Sequence, residues 1–234
     1  FNSSEEGGKC VAAIIAAGII PGGLEMMDAP AIKATEDFVH AGYPLDVEAL
    51  LLVELDGPQV EVDYLIDRVG KIATDCGAIY SRISENEEER LLFWSGRKNA
   101  FPAIGRISPD YMCMDGTIPR GRLAEVLTGM QELSKRHGLG VANVFHAGDG
   151  NLHINIIKGK MSDEAWNNDL KKGIREIFEL TVSLGGTLSG EHGIGLVQKE
   201  YMNIAFTQTN LELQKGIKKL FDPHGILNPK KVFM

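Results

Sequence analysis

Apolar and polar positions recur along the chain at two periods, one near two residues and one near three and a half, and these mark out strands and helices. A short apolar run at residues 50–55, stopped by Asp56-Gly57, predicts a strand. From 60 to 76 the spacing changes: Val62, Leu65, Ile66, Val69 and Ile72 trace one face of a helix that closes at Gly77. Residues 78–83 read as a strand, and the acidic stretch 85–89 opens a helix, whose first turn favours carboxylates. Residues 111–117 predict a strand, and 123–137 a helix ended by Gly138-Leu139-Gly140. Residues 141–146 and 151–157 are two strands joined by Gly148-Asp149-Gly150. Ser162 caps a long helix carrying Trp166, Leu170, Ile174, Ile177, Phe178 and Thr181 on one stripe, and Gly185-Gly186 stops it. The last helix, 211–221, ends at Asp222-Pro223. The apolar run 11–20 breaks at Pro21-Gly22-Gly23, too short to span a bilayer, and reads as a buried segment.

Strands separated by helices, with one tight hairpin, predict an α+β fold: an antiparallel sheet covered on one face by helices, with ferredoxin-like βαβ units and a helical C-terminal segment. A dinucleotide-binding doubly wound domain is excluded, because no G-x-G-x-x-G joins a strand to a helix. With 234 residues and no low-complexity linker, the chain is expected to form one domain over 1–234. The opening Phe1-Asn2-Ser3-Ser4 has no initiator methionine and suggests a domain of a longer protein. A net charge of −8 with scattered Lys and Arg argues against nucleic acid as a partner. Three cysteines without framework spacing (Cys10, Cys76, Cys113) suggest a reducing, cytoplasmic setting.

The densest chemistry lies in residues 145–155, FHAGDGNLHIN. Asp-Gly is a strong two-residue hairpin signal, and placing Asp149-Gly150 at the turn sets His146 opposite His153. Directly opposed residues hold their Cβ atoms roughly 4.5–5.5 Å apart, close enough for two imidazoles to share a metal ion. Asn155 and Val144 fall on the same face, while Phe145 and Ile154 point into a core. The plainer alternative is a stacked histidine pair in a half-buried sheet. An open metal site needs a third ligand, and Glu191 in the glycine-rich turn LSGEHGIG (188–195) is the candidate. His192 beside it suits acid–base work. Taken alone, that turn is equally a solvated acid–histidine pair, and Arg97 beside Lys98 a solvated arginine at a helix end. Phe93 and Trp94, Met26-Met27, and Met112 and Met114 read as packing, and His224 as a turn residue.

Six segments together resemble the C-terminal domain of FAD-linked oxidases, the group of D-lactate, D-2-hydroxyglutarate and glycolate dehydrogenases and oxidases, with the glycolate branch most alike. They are GIIPGGLEMMD (18–28), FWSGRKNAFPAIGRISPDY (93–111), CMDGTIPR (113–120), NVFHAGDGNLH (143–153), SGEHGIG (189–195) and FDPHGILNP (221–229). The resemblance implies a substrate-binding cap whose FAD is held mainly by a separate N-terminal domain. It implies oxidation of a short 2-hydroxyacid, glycolate before D-lactate, to the 2-oxoacid. It assigns His146, His153 and Glu191 to a zinc-like divalent metal, His192 to the catalytic base and Asn155 to the adjacent active-site face. Arg97 would hold the substrate carboxylate, and Asn228 would lie near the flavin. Other glycolate oxidase subunits are implied as partners, which would bring a cytoplasmic protein to the inner membrane as a peripheral one. Two positions depart from the pattern: Cys113 stands where some relatives have lysine, favouring a monocarboxylate, and Lys230 where relatives often have glycine. Two histidines and a carboxylate also serve flavin-independent hydrolases and non-haem iron oxygenases. A third reading is a binding module without turnover.

Overall fold

The computed structural model describes residues 1–233. Helix α1 (Ser4–Ala16) is capped by the Ser3 hydroxyl and buries Cys10, Val11 and Ile14, so the first apolar run is a core helix. Strand β1 (Gly23–Asp28) runs into α2 (Ala29–Val39), whose N-cap is Asp28. Strand β2 (Ala49–Glu54) is followed by α3 (Gln59–Asp75), α4 (Glu87–Lys98, capped by Asn86) and α5 (Ala100–Ile107). Then come β3 (Tyr111–Thr117), α6 (Leu123–His137), β4 (Gly140–His146) and β5 (Asn151–Ile157). Ser162 caps α7 (Asp163–Ser183), and the chain closes with a single turn α8 (Met202–Ala205) and α9 (Gln208–Phe221).

The five strands form one antiparallel sheet in the order β2-β1-β4-β5-β3. Both β3 and β4 run antiparallel to β5, so they are parallel to each other with β5 between them, a split βαβ unit crossed by α6. After α7 the chain returns to the free edge of β3, where Thr187 pairs with Thr117 and Ser189 with Asp115. This circuit is the ferredoxin-like unit expected from the sequence, and β1 and β2 extend it.

Helices cover both faces of the sheet rather than one. Phe145, Leu152, Ile154, Met26 and Met114 pack on one side with residues of α1, α6 and α7. Met27, Ala142 and Val144 pack on the other with residues of α2 and α5. The second layer escapes the periodicity because β1 and β4 carry small and apolar residues on both faces, as a doubly covered strand must.

Two further expectations are corrected. Residues 78–83 lie outside the sheet: Ile79, Tyr80 and Ile83 are exposed and the segment joins no ladder. Strand propensity there found no partner edge, and pairing decides a strand. The hairpin between β4 and β5 is a four-residue loop, Ala147 to Gly150, with Asp149 N donating to His146 O and Gly150 N to Ala147 O. His146 therefore pairs with Asn151, and His153 with Val144. The register has moved by two residues, which leaves every side chain on its predicted face but sets the two histidines on a diagonal. Gly148 N donates to Leu24 O at 2.8 Å, so the wider loop is held by β1, a contact no local turn rule contains.

Candidate active site and metal centre

The site occupies one end of the sheet face that α2 and α5 leave uncovered. The paired residues Asn155 and Cys113, His153 and Asp115, and Asn151 and Thr117 share this face, and His146 joins them from β4. His153 is buried at 2% exposure. Its ring lies edge-on to His146 with centroids 5.0 Å apart and stacks on His192 at 4.8 Å. Diagonal neighbours on a sheet are within reach of such long side chains, so the shifted register still brings the imidazoles together.

Asp115 organises the third element. Fully buried, its carboxylate accepts from the Ser189 hydroxyl (2.6 Å) and from the backbone N–H groups of Gly190 (3.1 Å), Glu191 (3.1 Å) and His192 (2.7 Å). Burial alone would raise its pKa. The Ser189 hydroxyl and the His192 and Glu191 N–H groups outweigh that and hold it below the usual carboxylate range. The loop 189–193 is thus wrapped on an anion. Gly190 permits the fit, because a Cβ there would stand 2.6 Å from the Thr117 side chain and 2.9 Å from that of Asn151.

That wrapping delivers Glu191 over the histidines. Its Oε1 lies 2.9 Å from His153 Nε2, 3.5 Å from His192 Nε2 and 3.7 Å from His146 Nε2. Asp115, His153, Glu191 and His192 also offer ligand atoms that all lie within 4.8 Å of one another. Despite the 2.9 Å approach, neither ring nitrogen of His153 makes a hydrogen bond among the described residues. A buried imidazole without hydrogen bonds is costly. Burial, and then the like charges of His146 and His192, keep its pKa low, which favours the neutral ring that a metal ion requires. The set whose ligand atoms converge in this way could hold a divalent cation, and His146 stands at its edge, with Nε2 3.7 Å from Glu191 Oε1. Asp115 is saturated with donors and serves as the clamp. Burial, then the charges of Asp115 and Glu191, pushes the Cys113 thiol up to about 12, so it offers no thiolate.

Arg97 is buried at 7% exposure, not solvated. Its Nε donates to Glu25 Oε2 at 2.8 Å, and its Nη2 lies 2.8 Å from the same oxygen as an ion pair and 3.5 Å from His146 Nδ1. The other Glu25 oxygen meets His146 Nδ1 at 2.8 Å, and this hydrogen bond is the largest cause of a raised His146 pKa. Nη1 of Arg97 has no protein partner among the described residues. Asn155 is fully buried; its Nδ2 donates to Ala142 O at 2.9 Å, and its Oδ1 is unpartnered. Asn228 makes none of the cluster's contacts: its side chain accepts from Lys231 Nζ at 3.1 Å, while the tail joins the site loop through Val232 N and Gly195 O. Lys230 adopts φ +64°, a left-handed conformation natural to glycine.

Sequence reasoning missed Glu25, Asp115 and Ser189. The available signal was a carboxylate inside each of two largely apolar strands, Glu25 in GLEMMD and Asp115 in YMCMDGT, where burial is tolerable only with partners.

The split βαβ sheet with a histidine–carboxylate cluster at one end has a match among known families. Residues 1–232 match the family described as FAD linked oxidases, C-terminal domain, and the chain belongs to that family. It is 51% identical over 231 residues to glycolate oxidase subunit GlcD of Escherichia coli (strain K12), covering 99% of this chain and 46% of that protein. It is 31% identical to glycolate oxidase subunit GlcD of Bacillus subtilis (strain 168), covering 100% of this chain and 49% of that protein. To the D-lactate dehydrogenase of Archaeoglobus fulgidus it is 30% identical, over 99% of this chain and 50% of that protein. The chain thus spans about half the length of these relatives. In fold it is similar to p-cresol methylhydroxylase with substrate bound, at a TM-score of 0.74 and 14% identity, covering 99% of this chain and 51% of that one. No helix among the described residues is long and apolar enough to cross a membrane.

Proposed function

We propose that this chain is the substrate-side half of an FAD-dependent enzyme that oxidises a short 2-hydroxyacid, glycolate in first place and D-lactate in second, to the 2-oxoacid. The observation that carries the reading is the convergence of Glu191 Oε1 on the Nε2 atoms of His153, His192 and His146, at 2.9, 3.5 and 3.7 Å. His146, His153 and Glu191 hold a divalent metal, zinc-like in its preference for nitrogen and oxygen donors. Bound there, the metal would supply Lewis-acid polarisation of the substrate hydroxyl, and FAD would supply a hydride acceptor.

This chain's own residues bind, orient and accept the proton. Arg97 is held by Glu25 along its Nε–Nη2 edge, which leaves Nη1 for the substrate carboxylate. His192, 45% exposed along its side chain and stacked on His153, takes the hydroxyl proton at Nε2. The unpartnered Oδ1 of buried Asn155 is an acceptor on the same face. The flavin's own binding surface belongs to the N-terminal half that the relatives have, with Asn228 at its edge. Other subunits are partners in the sense of the relatives named as glycolate oxidase subunits. The protein is cytoplasmic, peripheral to the inner membrane through those subunits.

The test is dye-linked oxidation of glycolate and D-lactate by the full-length protein, with flavin content measured and this chain assayed beside it. Flavin-dependent turnover at full length, with glycolate the better substrate, is expected. Flavin-free turnover by this chain alone would replace the reading with a metal-dependent enzyme.

A further inference from the structure

Glu25 stands alone as a carboxylate in the centre of β1, between Leu24 and Met26, and is 9% exposed. Its two oxygens are committed to different groups. Oε1 meets His146 Nδ1 at 2.8 Å, and Oε2 meets Nε and Nη2 of Arg97 at 2.8 Å. His146 comes from β4, the strand beside β1, and Arg97 from the last turn of α4. Three elements far apart in sequence therefore meet on one side chain.

We propose that Glu25 is a positioning residue that couples the two halves of the site, setting the ring of His146 on the metal side and the fork of Arg97 on the substrate side. The inference rests on the metal and substrate reading above. By accepting the Nδ1 proton of His146, Glu25 selects the tautomer whose Nε2 carries a free lone pair, and that nitrogen is the one 3.7 Å from Glu191 Oε1. By taking the Nε–Nη2 edge of Arg97, it fixes the plane of the guanidinium and leaves the Nη1 side for an incoming carboxylate. A hydrophobic residue at this position would release both groups. The bland alternative is a buried ion pair that joins β1 to α4 and affects stability alone.

The experiment uses the full-length protein and its Glu25→Gln variant, which is nearly isosteric. Metal-free protein is titrated with Co²⁺ by equilibrium dialysis, and the ring nitrogens of ¹⁵N-labelled histidine are read by NMR, with His146 assigned from its loss in His146→Gln. The wild type is expected to hold His146 in the Nδ1–H tautomer. Glu25→Gln is expected to lose that preference, to bind Co²⁺ about 10–100-fold more weakly and to raise the KM for glycolate. Equal Co²⁺ affinity and an unchanged tautomer in the variant would overturn the proposal and leave Glu25 a structural ion pair. A wild-type protein that binds no Co²⁺ would instead remove the metal reading, while the tautomer still decides whether Glu25 positions His146. Should Glu25→Gln fail to fold, a wild-type His146 found in the Nε2–H tautomer is sufficient to overturn it.

Discussion

At the scale of single residues, the site is made of side chains whose partners fix their state. Arg97 is buried, anchored on one edge and free on the other. If Arg97 holds the substrate carboxylate as proposed, its replacement by alanine in the full-length protein raises the KM for glycolate at least about tenfold, since a charge-assisted hydrogen bond contributes roughly 1.5–3 kcal/mol. Steady-state kinetics with an unchanged KM would refute that role. Asp28 is a different case, an acid buried at the N-cap of α2 with its pKa pushed up to about 7, chiefly by burial. Its folded pKa lies above the unfolded value near 3.9, so the native state holds a proton that the unfolded state has released between these values. Stability contributed by the neutral form is therefore lost as pH rises from about 4 to about 7. Asp28→Asn keeps an acceptor for Ala31 N and removes the titration. It should stabilise the protein at pH 8 by on the order of 1–3 kcal/mol and by almost nothing at pH 4. Thermal melts across that range, with a gain that does not shrink towards acid, would count against this account.

At the scale of elements, the hairpin and the 189–193 loop carry the histidine–carboxylate cluster. Gly150 has φ +74°, and a Cβ there would stand 2.1 Å from the carbonyl oxygen of Ile118. Backbone cannot yield as a side chain tip does, so Gly150→Ala is expected to cost about 2–4 kcal/mol or more. Urea denaturation measures this, and a loss below about 1 kcal/mol would mean that the loop rearranges freely. Much of these elements was legible beforehand: α6 and β5 lie on their predicted bounds, and His146, His153 and Asn155 share the predicted face. The two-residue turn was not, because the Leu24 carbonyl that receives Gly148 N belongs to β1, over a hundred residues earlier.

At the scale of the whole molecule, order is unevenly distributed. Strand β5 is almost wholly buried and β4 is buried through its middle four residues, whereas α9 buries no residue and exposes Leu213, Ile217, Leu220 and Phe221. Few buried contacts mean low local stability. In this chain, amides of α9 are expected to exchange with deuterium at least about 100-fold faster than those of β5, as read by peptide-level hydrogen exchange. Equal protection would show that α9 is held by contacts other than its own apolar stripe.

Sequence alone determined what depends on neighbours close along the chain: helix periods, caps at Ser162, and which face of β4 and β5 each side chain takes. It also carried the family, because six short motifs preserve residue types whose chemistry is local. Tertiary structure decided everything that requires distant segments to meet. The second helical layer, the register of the hairpin, the clamp of Asp115 on the 189–193 loop and the grip of Glu25 on both His146 and Arg97 are of this kind. The physical reason is the same in each: a buried charge or backbone group must find its partner somewhere, and the fold determines where.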